Sequence, residues 1–285
     1  MDLSGASESG DVEDRRGNGK TLAIGGGIGA LVLGLIGAYF GIDLNGLKPL
    51  VNNGGQQQQG DPPKDGYDKF SRQILGSTNA VWDKQFEFHY SGKHRYEHPR
   101  MVLFSKGVDS EGCGFAPSEV GPFYCPKSKT VFLDPTFFEE LEGKLGGDKA
   151  AFSQAYVIGH EVGHHVQNLI GYNTKVDEFD RIDGKKNAGI RLELQADYLA
   201  GVWAHYAKDA LKIDSNDIAS ALKTAQAIGD DRIQKKMQGW SSPESFTHGT
   251  AAQRLKYFKQ GFQTGDAGKK ALDHFFDRNI KALEL

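Results

Sequence analysis

Between Lys20 and Asp43 the chain carries no charged residue for 22 positions, Thr21 to Ile42. As a helix rising about 1.5 Å per residue this run is roughly 33 Å long, enough to cross a hydrocarbon core of about 30 Å. Seven of its residues are glycine, which would weaken a helix packed in a water-soluble core. In lipid, small residues four apart let helices approach closely, and Gly25 with Gly29 and Gly37 with Gly41 have that spacing. The run reads as one transmembrane helix over 21–43, with a homo-oligomer through its glycine face as a reading of its partners. A cleaved signal peptide fits less well. Its apolar region is usually about 7–15 residues and ends in a small-x-small site, and Leu35 to Phe40 offers none.

Arg15, Arg16 and Lys20 precede the run and Lys48 alone follows closely. That bias keeps the N-terminus in the cytoplasm and sends the rest to the far side. The expectation is a single-pass protein of the inner (cytoplasmic) membrane with its folded part on the periplasmic, extracytoplasmic face. Residues 1–20 are Gly-, Ser- and Asp-rich and nearly free of large apolar side chains, so they read as a disordered cytoplasmic tail. Residues 44–66, with Asn52-Asn53-Gly54-Gly55, four consecutive glutamines and Pro62-Pro63, read as a flexible polar linker. Residues 67–285 remain as one domain. A net charge of −3 supplies no basic stripe, so nucleic acid is not an expected partner.

Within the domain, Phe70, Ile74, Val81, Trp82 and Phe86 recur at helical spacing between Tyr67 and about Phe88. Met101 to Phe104 and Thr130 to Leu133 are short apolar runs that read as strands. After Asp148 the pattern is helical. A first long helix is expected from Asp148, as N-cap, to Gly171, and a second from about Ala188 to Ala207. A third is capped at Asp214 or Ser215 and ends at Gly229. A fourth opens with a capping box, Thr250 and Gln253, and is expected to end at Gly261. The fold class is α+β, mainly helical after a small strand-containing part.

The sharpest chemical signal is His160-Glu161-Val162-Gly163-His164. Two histidines four apart on a helix leave from one face and can bind one ion, and the intervening Glu161 is placed to take a proton from water beside it. A catalytic zinc usually keeps three protein ligands and an open position. Glu193-Leu194-Gln195-Ala196-Asp197 sets two carboxylates one turn apart, 29 residues after His164, in a stretch apolar enough to be buried.

That second segment resembles the E-x-x-x-D element of the gluzincin peptidases. By the resemblance Glu193 is the third zinc ligand, and Asp197 orients a ligating imidazole from behind. Over roughly residues 67–270 the chain resembles the bacterial neutral zinc metallopeptidase family, single-span proteins with a gluzincin-like domain. The resemblance rests on Cys113-Gly114, Gly121 to Pro126, His160 to Gln167, Glu193 to Asp197, and Phe246-Thr247-His248-Gly249 followed by Arg254. It implies a zincin-type fold and one Zn2+ per chain. The function expected is hydrolysis of peptide bonds in a peptide or protein substrate, with Glu161 as general base.

Related gluzincins carry a downstream histidine before an arginine. His248 in that position would stabilise the oxyanion or cap the open metal position; a loop histidine satisfying backbone carbonyls is the plain alternative. His165 points about 100° away from the ligand face and reads as structural. His89, His94, His98, His205 and His274 have no partners at ligand spacing. Cys113 and Cys125, the only cysteines, would form a disulfide outside the cytoplasm, or stand as reduced thiols or metal ligands inside it. Two rivals remain. One is a non-catalytic zinc-binding membrane scaffold that recruits partner proteins, which would not need Glu161. The other is a thiol oxidoreductase, for which a twelve-residue cysteine spacing lacks the C-x-x-C geometry.

Overall fold

A computed structural model describes residues 1–18, 61–242 and 245–285. The expected span at 21–43 and the linker up to residue 60 lie outside the described residues. Among those described, no helix is long and apolar enough to cross a membrane.

In chain order the strands and helices are β1 (Val12–Asp14), α1 (Tyr67–Tyr90), β2 (Arg100–Leu103), β3 (Gly107–Asp109), β4 (Phe115–Pro117), β5 (Phe123–Cys125), β6 (Thr130–Leu133), α2 (Thr136–Glu140), α3 (Ala151–Leu169), α4 (Tyr172–Asp183), α5 (Lys185–Ala207), α6 (Ser215–Ala227), α7 (Asp230–Gln238), α8 (Ala251–Thr264) and α9 (Lys269–Asp273). The architecture is mainly helical α+β, with the strands gathered ahead of the long helices.

Helix α5 is apolar on nearly every side, and every residue from Ala188 to Ala204 is buried. A helix of that composition belongs at the centre of a domain. Helix α3 lies along one flank of it and α8 along another. Side-chain-free positions let the backbones meet. A Cβ on Gly163 would come 3.0 Å from the Ala196 carbonyl oxygen, so the glycine inside His160–His164 is what lets the two site helices touch. Gly201 of α5 and Gly261 of α8 each lie against the other helix's backbone in the same way. Gly261 is therefore a packing residue; α8 continues to Thr264 and ends at Gly265, whose φ of 60° suits a left-handed cap.

The helix starts follow their local chemistry. Asp214 and Thr250 both form capping boxes, with Asp217 and Gln253. Asp148 does not cap α3 directly. Its carboxylate accepts the Ala150 N–H at 2.8 Å and shapes the turn into a helix that begins at Ala151.

A four-stranded sheet runs β1-β2-β6-β5; β5 is antiparallel to β6, and the other pairings are parallel. Alternation along the strands splits two cores. Met101, Leu103, Val131 and Leu133 face the helices, while Val102 and Phe132 join Phe104, Phe123 and Cys125 in a smaller cluster on the other face. The Cys113–Cys125 disulfide ties the β3–β4 hairpin region to β5 in that second cluster. The expected strand Thr130–Leu133 is interior, with partners on both edges, and β5 lies at one edge of the sheet.

The expectation of a disordered tail over 1–20 is corrected for residues 1–18. They lie on the domain, with Val12 buried and β1 in register with β2. Docking uses few apolar side chains. Backbone groups and α1 side chains carry it: Arg72 donates to the Val12 carbonyl at 2.7 Å and Gln73 to the Leu3 carbonyl at 3.1 Å. A hydrophobicity pattern cannot register contacts of that kind.

Candidate metal centre

His160 and His164 leave one face of α3, and Glu193 projects from α5 across the glycine contact. Glu193 Oε2 lies 3.2 Å from His160 Nε2, and its Oε1 lies 3.4 Å from His164 Nε2. The three ligand atoms fall within 4.8 Å of one another, and all three residues are buried. Two imidazole nitrogens and one carboxylate together make a donor set able to hold one cation.

Both rings are held from behind. His160 Nδ1 pairs with Asp197 Oδ1 at 2.9 Å, and His164 Nδ1 with Gln167 Oε1 at 2.8 Å. Facing acceptors, each Nδ1 carries the hydrogen, which leaves the Nε2 lone pairs pointing at the common centre. Gln167 is fixed in turn, donating to the Leu192 carbonyl at 2.8 Å. Asp197 also accepts from Tyr156 Oη at 2.5 Å and from both prongs of the Arg254 guanidinium at 2.8 and 3.0 Å.

The electrostatics call for a cation. Glu161, Glu193, Asp197 and Asp230 are buried carboxyls set against one buried guanidinium, Arg254, a formal surplus of three negative charges. Burial works to lower the pKa of His160, but the charge and hydrogen bond of Asp197, with the bond from Glu193, push it up to about 10. Burial likewise works to raise Glu193, and the His164 charge and the bonds from both rings hold it well below the usual carboxylate range. A divalent ion at the centre would supply what protons supply there. The residues therefore fit a zinc ion by donor type, convergence and charge.

Glu161 sits beside the first ring, and burial raises its carboxyl. His248 is brought to the same cleft although it lies 84 residues beyond His164 in sequence. Its Nδ1 pairs with Asp230 Oδ1 at 3.2 Å, and its buried Nε2 has no hydrogen-bond partner among the described residues. Sequence reasoning missed Asp230. This carboxylate is 1 % exposed and also accepts the backbone N–H groups of Thr247, His248 and Gly249 at 2.6, 2.6 and 3.1 Å. No spacing rule links the first residue of α7 to a loop 18 residues on. Gln167 was quoted for the resemblance, but its hold on His164 was not foreseen.

His160, Glu161, His164, Glu193 and His248 line a cleft of about 780 Å³, counting its open mouth. Its walls are apolar: Phe123, Phe137, Leu145, Val157, Ile228 and Ile233. His165 is buried away from it, between Tyr124 Oη at 2.9 Å and the Glu97 carbonyl at 2.6 Å, and burial lowers its pKa to about 4. It is structural, as its position on the helix implied.

Fold and site together define a mainly helical α+β protein with a buried His160, His164 and Glu193 group suited to a metal ion. The comparisons agree: the family described as "Putative neutral zinc metallopeptidase" matches residues 1–272, and the chain belongs to it. The chain is 41% identical over 283 residues to uncharacterized protein YpfJ of Escherichia coli K12, covering 93% of this chain and 96% of that one. It is 44% identical over 200 residues to uncharacterized protein Rv2575 of Mycobacterium tuberculosis H37Rv, covering 67% and 65%. No solved structure matches it.

Proposed function

We propose that this chain is a zinc endopeptidase of gluzincin-like fold. The observation that carries the reading is the convergence of His160 Nε2, His164 Nε2 and a Glu193 oxygen within 4.8 Å, in a cleft that Glu161 also lines. When bound, a zinc ion supplies Lewis acidity: it draws electron density from the scissile carbonyl and makes water acidic enough to attack near neutral pH. Glu161 accepts the proton of the attacking water and returns it to the leaving amine. His248, held at Nδ1 by Asp230, presents Nε2 to the cleft. Protonated, which the Asp230 charge favours against burial, it donates there to the developing oxyanion. The edge strand β5, whose Phe123 and Tyr124 line the cleft, is placed to pair with an extended peptide.

The uncharged run over 21–42 supports attachment to the inner membrane. The Cys113–Cys125 disulfide supports an oxidising, extracytoplasmic location for the domain. Cys125 is fully buried in the smaller apolar cluster, away from any incoming thiol, which weighs against the thiol-oxidoreductase reading.

The test is hydrolysis of a mixed peptide pool by the purified chain. Activity should vanish on chelation, return with stoichiometric zinc, and accompany one zinc per chain in metal analysis. Glu193→Ala should fold, as followed by circular dichroism, yet lose most of its zinc. Full occupancy in that variant would place the third ligand elsewhere. A chain that binds zinc and cleaves nothing would be the scaffold.

For His248→Ala the expected result is a kcat lower by about 10²–10³-fold with KM nearly unchanged, since the lost donor acts in the transition state. A rise in activity would mean that the ring caps the open metal position. An unchanged kcat at full zinc occupancy would remove both roles.

A further inference from the structure

We infer that residues 1–18 and the domain on which they dock lie on the same face of any membrane the chain meets. This replaces the expectation of a cytoplasmic N-terminus opposite an extracytoplasmic domain, and it does not depend on catalysis.

The N-terminal arm is built into the domain along its whole described length. β1 adds a parallel edge strand, Val12 opposite Met101 and Asp14 opposite Leu103. The flanking ladder bonds continue it, from Met101 N–H to the Asp11 carbonyl at 2.9 Å and from Arg15 N–H to the Leu103 carbonyl at 2.8 Å. Ahead of the strand, the Ser9 N–H donates to the Arg72 carbonyl at 2.9 Å. Gly76 of α1 is bare because the Ser7 carbonyl occupies the space a Cβ would need.

The arm ends where the domain resumes. Arg16 is nearly buried and joins Asp14 Oδ2 at 2.5 Å to Asp65 Oδ2 at 2.6 Å, with its guanidinium 5.9 Å from the ring centre of Tyr67. A single crossing would set the two ends of the intervening chain apart by a hydrocarbon core of about 30 Å. An ion pair of 2.6 Å between Arg16 and Asp65 is incompatible with that separation. Docked arm and single crossing exclude each other.

Cys113 and Cys125 are the only cysteines and are bonded to each other, so introduced cysteines give clean readings. Ser4→Cys on the arm and Lys270→Cys on the domain are exposed sites. Each full-length variant is expressed in cells and treated with a membrane-impermeant maleimide before and after lysis. Both sites are expected to react alike, together before lysis or together only after it. Reaction of one before lysis and of the other only afterwards overturns the inference. Gly76→Ala in the full chain gives an independent reading. With the arm docked, the methyl collides with Ser7 and the thermal midpoint falls. With the arm free, alanine is the better helix residue and the midpoint rises, which also overturns the inference.

Discussion

Glu161→Gln is expected to lower kcat for peptide hydrolysis by about 10²–10⁴-fold while zinc content and thermal midpoint stay near those of the parent. Gln keeps the volume and planarity of the side chain and removes only its capacity to take a proton. The residue contributes no atom to the group of His160, His164 and Glu193, so the ion's hold should survive the change. Burial raises the Glu161 carboxyl, which makes it a stronger base than an exposed glutamate and better matched to work near neutrality. The measurement pairs initial rates on a quenched-fluorescence peptide with metal analysis of the same preparation. A variant that keeps its zinc and more than about a tenth of its rate would move the base elsewhere. A variant that loses its zinc would make Glu161 a ligand. Either result would break the proposed division of labour between neighbours on one helix.

That division was legible because helical spacing is rigid. His160 with His164, and Glu193 with Asp197, must share faces once each segment is a helix, and the structure brings the two faces together. Helix ends marked by side-chain chemistry were legible too, at Asp214 and Thr250. Misreadings came where one residue type serves two ends. Gly261 looked like a stop and is a contact between backbones. The edge position of β5 was hidden because strand order is a long-range property that a local apolar run does not carry. Asp230 supports His248 mainly through backbone N–H groups, and the arm docks through carbonyls. Neither leaves a mark in a pattern of apolar and charged letters.

Arg254 tests how the centre is braced. Its guanidinium is 2 % exposed and forks onto Asp197, which is fully buried. Burial works to raise the Asp197 carboxyl, and the charge of Arg254 with that of His160 holds it low. Arg254→Met keeps much of the side-chain volume but leaves that carboxylate with Tyr156 and His160 alone. Breaking a buried pair from one side typically costs about 3–5 kcal/mol, because the remaining charge is uncompensated. For a domain of this size that is a fall of roughly 10 °C in thermal midpoint. Lost packing would give a similar fall, so a second substitution decides between the two. Asp197→Asn removes the charge while its amide oxygen can still accept from His160. If charge is the cause, adding Asp197→Asn to Arg254→Met should recover part of the lost stability, although Asp197→Asn alone is destabilising in the parent. Strictly additive losses, measured as a double-mutant cycle by thermal melts at fixed zinc, would assign the role of Arg254 to packing instead.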